Sequence, residues 1–200
     1  MFNLIEQPPT TYQIEDRIYD LNMSFDNIIR ISEIQQDNSL SDIQQLLEGA
    51  RLLFLDLDTT IKIKTVIEDF IQIYTEFVMT KEEEYVEYDL LGNPIVVKNE
   101  EDDEDDEFNY SGVSKEYCLM RDAQYIYPSF IMDYGIDLHK EIGKMHWWTF
   151  KSLLNGLSDN TIFKRVLHIR QQPYPKDSKA RNELEKAKRQ VALPRRKTNK

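Results

Sequence analysis

Asp56 and Asp58 are the residues whose type and spacing come nearest to chemistry. They stand in the run Asp56-Leu57-Asp58-Thr59-Thr60, directly behind the apolar stretch Leu52 to Leu55. Carboxylates are residue types that nucleophilic and acid–base chemistry can use. The remaining reactive side chains offer less. His139, His146 and His168 lie 7 and 22 residues apart, which matches no zinc spacing and favours a surface or interface role. Cys118 is the one cysteine; it has no nucleophile-elbow context and allows neither an intramolecular disulfide nor a cysteine-based zinc site. The six glycines are scattered singly, so there is no phosphate-cradling loop. The sequence calls for no metal and no cofactor, and the expectation is a protein that is not an enzyme.

The carboxylate pair resembles the first motif of the haloacid-dehalogenase-type phosphatases, and the resemblance implies Asp56 as nucleophile, Asp58 as general acid and base, and Mg²⁺ to neutralise the phosphate. That architecture needs a parallel sheet alternating with helices, and the chain downstream offers helix after helix. The competing reading makes Asp58 or Thr59 a cap for the helix that follows. Trp147-Trp148 is the more unusual feature. Adjacent residues on a helix point about 100° apart, so both rings cannot enter one seam. One belongs in the core and the other lies half-buried against a neighbouring helix, or one serves as a binding anchor. Trp147, Trp148 and Tyr125 are therefore candidate partner-binding residues, together with the basic end Arg195, Arg196 and Lys197.

Charge separates along the chain. Residues 161–200 hold 13 Lys+Arg and 3 Asp+Glu, a net of +10, so residues 1–160 carry the remaining −21 of the overall −11. Glu100 to Glu107 are eight carboxylates in succession. No fold buries eight adjacent like charges, so the run is solvated; it is read as a loop, or as a polyanion that mimics nucleic acid or shields a basic surface. The basic end has no interleaved aromatic residues to stack on bases, which argues against a nucleic-acid partner. A single cysteine fits a reducing compartment. The first ten residues show neither a basic start nor an apolar core of a signal peptide, and no stretch approaches the roughly 20 apolar residues of a membrane span.

The elements that position these residues read as mainly α: a helical domain with a short N-terminal β-hairpin and a basic C-terminal helix. The hairpin turns around Glu15-Asp16. Ser24 starts a helix carrying Phe25, Ile28 and Ile29 inward. Ser39 with Asp42 starts a second, with Ile43, Leu46, Leu47, Ala50, Leu53 and Phe54. Ile63, Val66, Ile67, Phe70, Ile71, Tyr74, Phe77 and Val78 form the strongest apolar stripe. Helical spacing resumes with Leu119, Ala123, Ile126, Tyr127, Phe130, Ile131 and Tyr134. Pro128 falls inside that helix and should bend it, and Gly135 is placed to end it. Trp147, Phe150, Leu153, Leu154 and Leu157 face inward on the next helix. Ser158-Asp159 caps another, with Ile162, Phe163, Val166 and Leu167. Asp177 starts the last, whose stripe is Ala180, Leu184, Ala187 and Val191, and Pro194 ends it. Four regions follow: 1–79, hairpin plus helices; 80–117, an acidic flexible insert; 118–172, an aromatic-rich helical unit; and 173–200, a basic helix and tail.

Four blocks at compact spacing carry a family resemblance. They run from Asp122 through Tyr125 to Tyr127, from Tyr134 to Leu138, from His146 to Phe150, and from Leu153 to Ser158. Together they resemble the small proteins of Gram-positive tailed phages and prophages that are encoded next to the tape-measure protein and regarded as tail-assembly chaperones. The N-terminal half is similar more loosely, and residues 80–117 are longer than the family's usual polar connection. The resemblance implies a protein without catalytic residues that coats the tape-measure protein in many copies, keeps it soluble in the host cytoplasm, and hands it to the tail-tube protein. It would then be missing from the mature virion. The alternative is a structural tail or connector component that stays in the particle.

Overall fold

The computed structural model describes residues 7–58, 60–79 and 117–193, with the backbone of two short strands between them. The chain begins with β1 (Thr11–Ile14) and β2 (Arg17–Asp20), antiparallel with Tyr12 opposite Tyr19. Glu15 takes the left-handed conformation, φ 51°, that closes the two-residue turn. Three helices follow: α1 (Phe25–Ile34), α2 (Asp42–Leu53) and α3 (Ile63–Ile73). Strands β3 (Glu87–Tyr88) and β4 (Pro94–Ile95) pair antiparallel. Four more helices complete the described chain: α4 (Ala123–Tyr134), α5 (Trp147–Asn155), α6 (Ile162–Gln171) and α7 (Ser178–Gln190). The fold is mainly helical with an N-terminal hairpin, as the sequence indicates. The acid run and Pro194 to Lys200 lie outside the described residues.

Local chemistry sets most boundaries. Ser24 precedes α1 in extended conformation. Asp177 accepts the Ala180 N–H at 2.8 Å and starts α7. Gly135 ends α4 in the left-handed region, φ 66°, and its N–H returns to the Ile131 carbonyl. Two start signals fall elsewhere than expected. The residue that caps α2 is Ser41, not Ser39, because Gln44 sits three positions on and its Oε1 accepts the Ser41 N–H at 2.9 Å. The residue that caps α6 is Thr161; Ser158 instead donates its N–H to Asp133 at 2.7 Å. α4 continues through Pro128. At the crossing of α2 and α3, a β-carbon on Gly49 would stand 2.7 Å from the Phe70 ring, so only glycine admits this approach.

The long stripe of α3 faces the core as its spacing predicts, with Val66, Phe70, Tyr74 and Val78 buried. Tyr74 to Val78 wind as a π-helical turn. Ile73, just before that turn, is fully buried, and Ile63 at the other end of the helix is 60% exposed. Three further residues placed inward by spacing, Ile43, Ile131 and Ile162, also face solvent. Tyr127 is half-buried and donates its hydroxyl to Asp137 at 3.1 Å.

One core joins residues before and after the segment 80–117. Its centre is Phe150, stacked between Phe25 of α1 at 4.9 Å and Phe130 of α4 at 5.4 Å between ring centroids. Trp147 adds a third stacked neighbour at 5.7 Å. Phe150 is 2% exposed, so its removal leaves a cavity among rings that cannot all close in. Phe150→Ala should cost about 3–5 kcal/mol in urea unfolding. A loss below about 0.5 kcal/mol, typical of surface changes, would remove Phe150 from the core.

Candidate functional site

The carboxylate motif folds as a loop between α2 and α3. Leu52 and Leu53 are the last residues of a helix, not a strand, and Phe54 only bridges to Leu21. Asp56 is exposed, with φ 54°. Asp58 pairs with Arg17 of the hairpin, and its other oxygen accepts the N–H and hydroxyl of Thr60 at 2.8 and 2.7 Å. Among the described residues no parallel sheet stands behind the loop, so the frame that the phosphatase resemblance requires is not found there. The capping expectation is also corrected: Lys62 precedes α3, and Asp58 closes a turn with Thr60 instead, while Thr59 lies outside the described residues.

The tryptophan pair sits at the junction of the two halves of the chain. Its helix begins where α1 begins. Trp147 N–H donates to the Met23 carbonyl at 2.7 Å, and Phe25 N–H donates to the Met145 carbonyl at 3.0 Å. Ser24 and His146, the residues preceding the two helices, form an antiparallel bridge. Asp26, in the first turn of α1, accepts the Gly143 N–H at 2.8 Å. Trp147 is buried in the core and its indole N–H reaches the Val78 carbonyl at 3.3 Å. Trp148 is half-buried against Phe77, whose carbonyl its indole N–H meets at 2.8 Å. The two rings diverge as helical geometry requires, and both satisfy carbonyls at the end of the π-helical turn. Lys151 adds a third donor to Val78 at 3.3 Å, and burial lowers its pKa.

His146 is half-buried and caps its helix. Nδ1 accepts the Trp148 N–H at 3.1 Å, so the proton of the neutral ring is on Nε2, facing the Pro9 carbonyl at 3.3 Å. Burial lowers its pKa below the ordinary 6.5. His139 packs edge-on against Tyr127. Among the described residues no cluster of three or more His, Cys, Asp or Glu is arranged to hold a metal ion.

A second polar centre had no sequence signal. Asp122, 1% exposed, binds Arg170 of α6 through two hydrogen bonds of 2.7 Å and also accepts the Cys118 N–H at 3.0 Å. Arg170 Nε donates to the Val191 carbonyl at 2.7 Å. One guanidinium therefore ties the start of α4 to the end of α7. Tyr125 lies one turn into α4, half-buried. Arg195, Arg196 and Lys197 fall outside the described residues.

Two outcomes follow. The depressed pKa of His146 means the unfolded chain takes up the proton first as pH falls. Stability is then complete above about pH 6.5 and declines as pH drops through that value toward the folded pKa. The urea midpoint should fall between pH 7.5 and 5.5, and less so in His146→Asn, which keeps a capping oxygen; equal slopes would exclude His146 as the cause. Arg170→Met strands a buried carboxylate and should cost about 3–5 kcal/mol. Recovery of most of that loss in Arg170→Met with Asp122→Asn is expected, and its failure would assign the cost to packing.

No helix among the described residues is long and apolar enough to cross a membrane. No curated protein and no solved structure matches the chain. The family model described as Bacteriophage Gp15 protein matches residues 4–193, across both halves and the segment between them. By that match over nearly its whole length, the chain belongs to the bacteriophage Gp15 family of phage proteins.

Proposed function

We propose that this protein is a tail-assembly chaperone that binds the phage tape-measure protein, keeps it soluble, and releases it to the tail-tube protein. Membership of a phage protein family over residues 4–193 carries the reading, and the four blocks between Asp122 and Ser158 direct it to the tape-measure partner. A long helical client exposes apolar stripes before assembly, and helical grooves and faces are the complement it needs. α4 presents such a face. Tyr125, Pro128 and Met132 follow one another at helical spacing, Tyr125 half-buried and the other two exposed. Met132 is 61% exposed, and methionine adapts to varied apolar partners. In this reading Tyr125 and Trp148 meet the client and Trp147 fixes the frame. Release requires modest contacts made by many copies. The site of action is the bacterial host cytoplasm, and the protein leaves before the particle is complete.

Co-expression tests this directly. The tape-measure protein should be insoluble alone and soluble with the chain. Met132→Glu, a surface change expected to shift stability by under about 0.5 kcal/mol, should weaken that rescue. A tape-measure protein that stays insoluble beside the native chain would sink the proposal. Mass spectrometry of purified particles should find no stoichiometric copy of this chain. Finding one would favour the structural tail or connector alternative.

A further inference from the structure

Two helix faces of opposite charge are open to solvent. The first lies on α3 and the π-helical turn that continues it. Glu68, Gln72 and Glu76 recur every four residues and are exposed, with the half-buried Asp69 beside them. The buried Val66, Phe70 and Ile73 lie on the other side of the helix. The hairpin brings Glu15 up to this face. Tyr12 donates its hydroxyl to Asp69 at 3.4 Å. Partial burial, with the charges of Glu68 and Glu15 added to it, holds the Asp69 carboxyl above its ordinary pKa. Lys64, 3.6 Å from Glu68, is the one cation in an ion pair with these carboxylates among the described residues.

The second face lies on α7, which packs on α6. Lys179, Asn182, Lys186 and Arg189 follow at steps of three and four, all exposed, on the side away from Leu184, the one buried residue of the helix. Three cations of α7 are already engaged. Arg181 and Lys188 lie 5.6 and 4.7 Å from the centre of the Tyr174 ring, and Arg189 pairs with Glu185. Lys179 and Lys186 pair with no carboxylate among the described residues, and no ion pair there joins the two faces within one chain. The faces match in spacing as well as in sign. Asp69 and Glu76 are seven residues apart with Gln72 between them; Lys179 and Lys186 are seven apart with Asn182 between them. Seven helical residues rise about 10 Å, so two lysines and two carboxylates meet across one pair of helices.

We propose that the outward face of α7 docks on the α3–hairpin face of a second copy of the chain, with Lys179 and Lys186 against Asp69 and Glu76. The contact is heterologous. Each copy gives one face to each neighbour, so one basic and one acidic face stay open at the ends and further copies add in the same way. Exposed ion pairs are individually weak and are screened by salt, so the association is weak and salt-dependent. It stands apart from the chaperone reading and needs no client.

Sedimentation velocity of the full-length chain over a concentration series tests it. The runs are made at about 50 and about 500 mM NaCl, between which the screening length shortens from roughly 14 to roughly 4 Å. The expected result is a mass that rises with concentration at low salt, with dissociation at least about tenfold easier at high salt. The double variant Lys179→Glu with Lys186→Glu removes the basic face, and Glu68→Lys with Glu76→Lys removes the acidic one. All four positions are exposed, so both variants should melt close to the native chain. Each alone should stay monomeric. An equal mixture should recover association, because each variant supplies the face that the other lacks. A mixture that stays monomeric would overturn the proposal. So would a native chain that is monomeric at low salt, or association that neither double variant reduces. A native chain that stays monomeric but binds a single-stranded oligonucleotide, and loses it on Lys179→Glu with Lys186→Glu, would overturn it in favour of nucleic acid as the occupant of α7.

Discussion

The fold depends on a contact between two short extended segments, Met23 to Phe25 and Met145 to Trp147. Their backbones bond reciprocally at 2.7 and 3.0 Å, and each segment is also the start of a helix. Helix starts leave N–H groups that need acceptors. Here each segment's N–H groups are satisfied partly by the other's carbonyls, so α1 and α5 begin at one fixed point. Fixing that point aligns Phe25 above Phe150, and Phe150 above Phe130. It also delivers Trp147 and Trp148 to the carbonyls that end the π-helical turn. The joint is small, yet it sets the position of four helices.

Elements with a local cause were legible in the sequence. The hairpin, the starts of α1 and α7, and the Gly135 stop follow from residues within a few positions. Cap assignments slipped where two candidates competed: the choice of Ser41 over Ser39 depends on Gln44, and Thr161 displaced Ser158 once Ser158 was bonded to Asp133. The inward stripe of α3 was legible through Val66, Phe70, Tyr74 and Val78, but no residue pattern announces the π-helical turn that ends it. Periodicity also favoured Ile43, Ile131 and Ile162, whose exposure is decided by which helices happen to lie alongside.

The polar site was the least legible part. Asp122 and Arg170 are 48 residues apart, and each had dozens of oppositely charged candidates in the chain. Only burial on both sides selects the pair. The reach of His146 to Pro9 crosses 137 residues and is equally silent in the sequence. By contrast, the two tryptophans announced their division of labour, because neighbouring helical positions must diverge. The carboxylates at 56 and 58 show the converse: a short pattern has chemistry only when the backbone behind it supplies the right frame.

The separation of the two segments of the joint bears on how the protein is made. Asp26 and Gly143 are 117 residues apart, and the bond between them forms only after the ribosome has released nearly three-quarters of the chain. Until then α1 has no Phe150 to cover Phe25, and the hairpin and first three helices wait with one apolar side open. Closing so long a loop costs little more than closing one half its length, about 0.6 kcal/mol per doubling. The delay is therefore one of synthesis time, not of final stability. For much of its translation the nascent chain is itself an unprotected helical polypeptide.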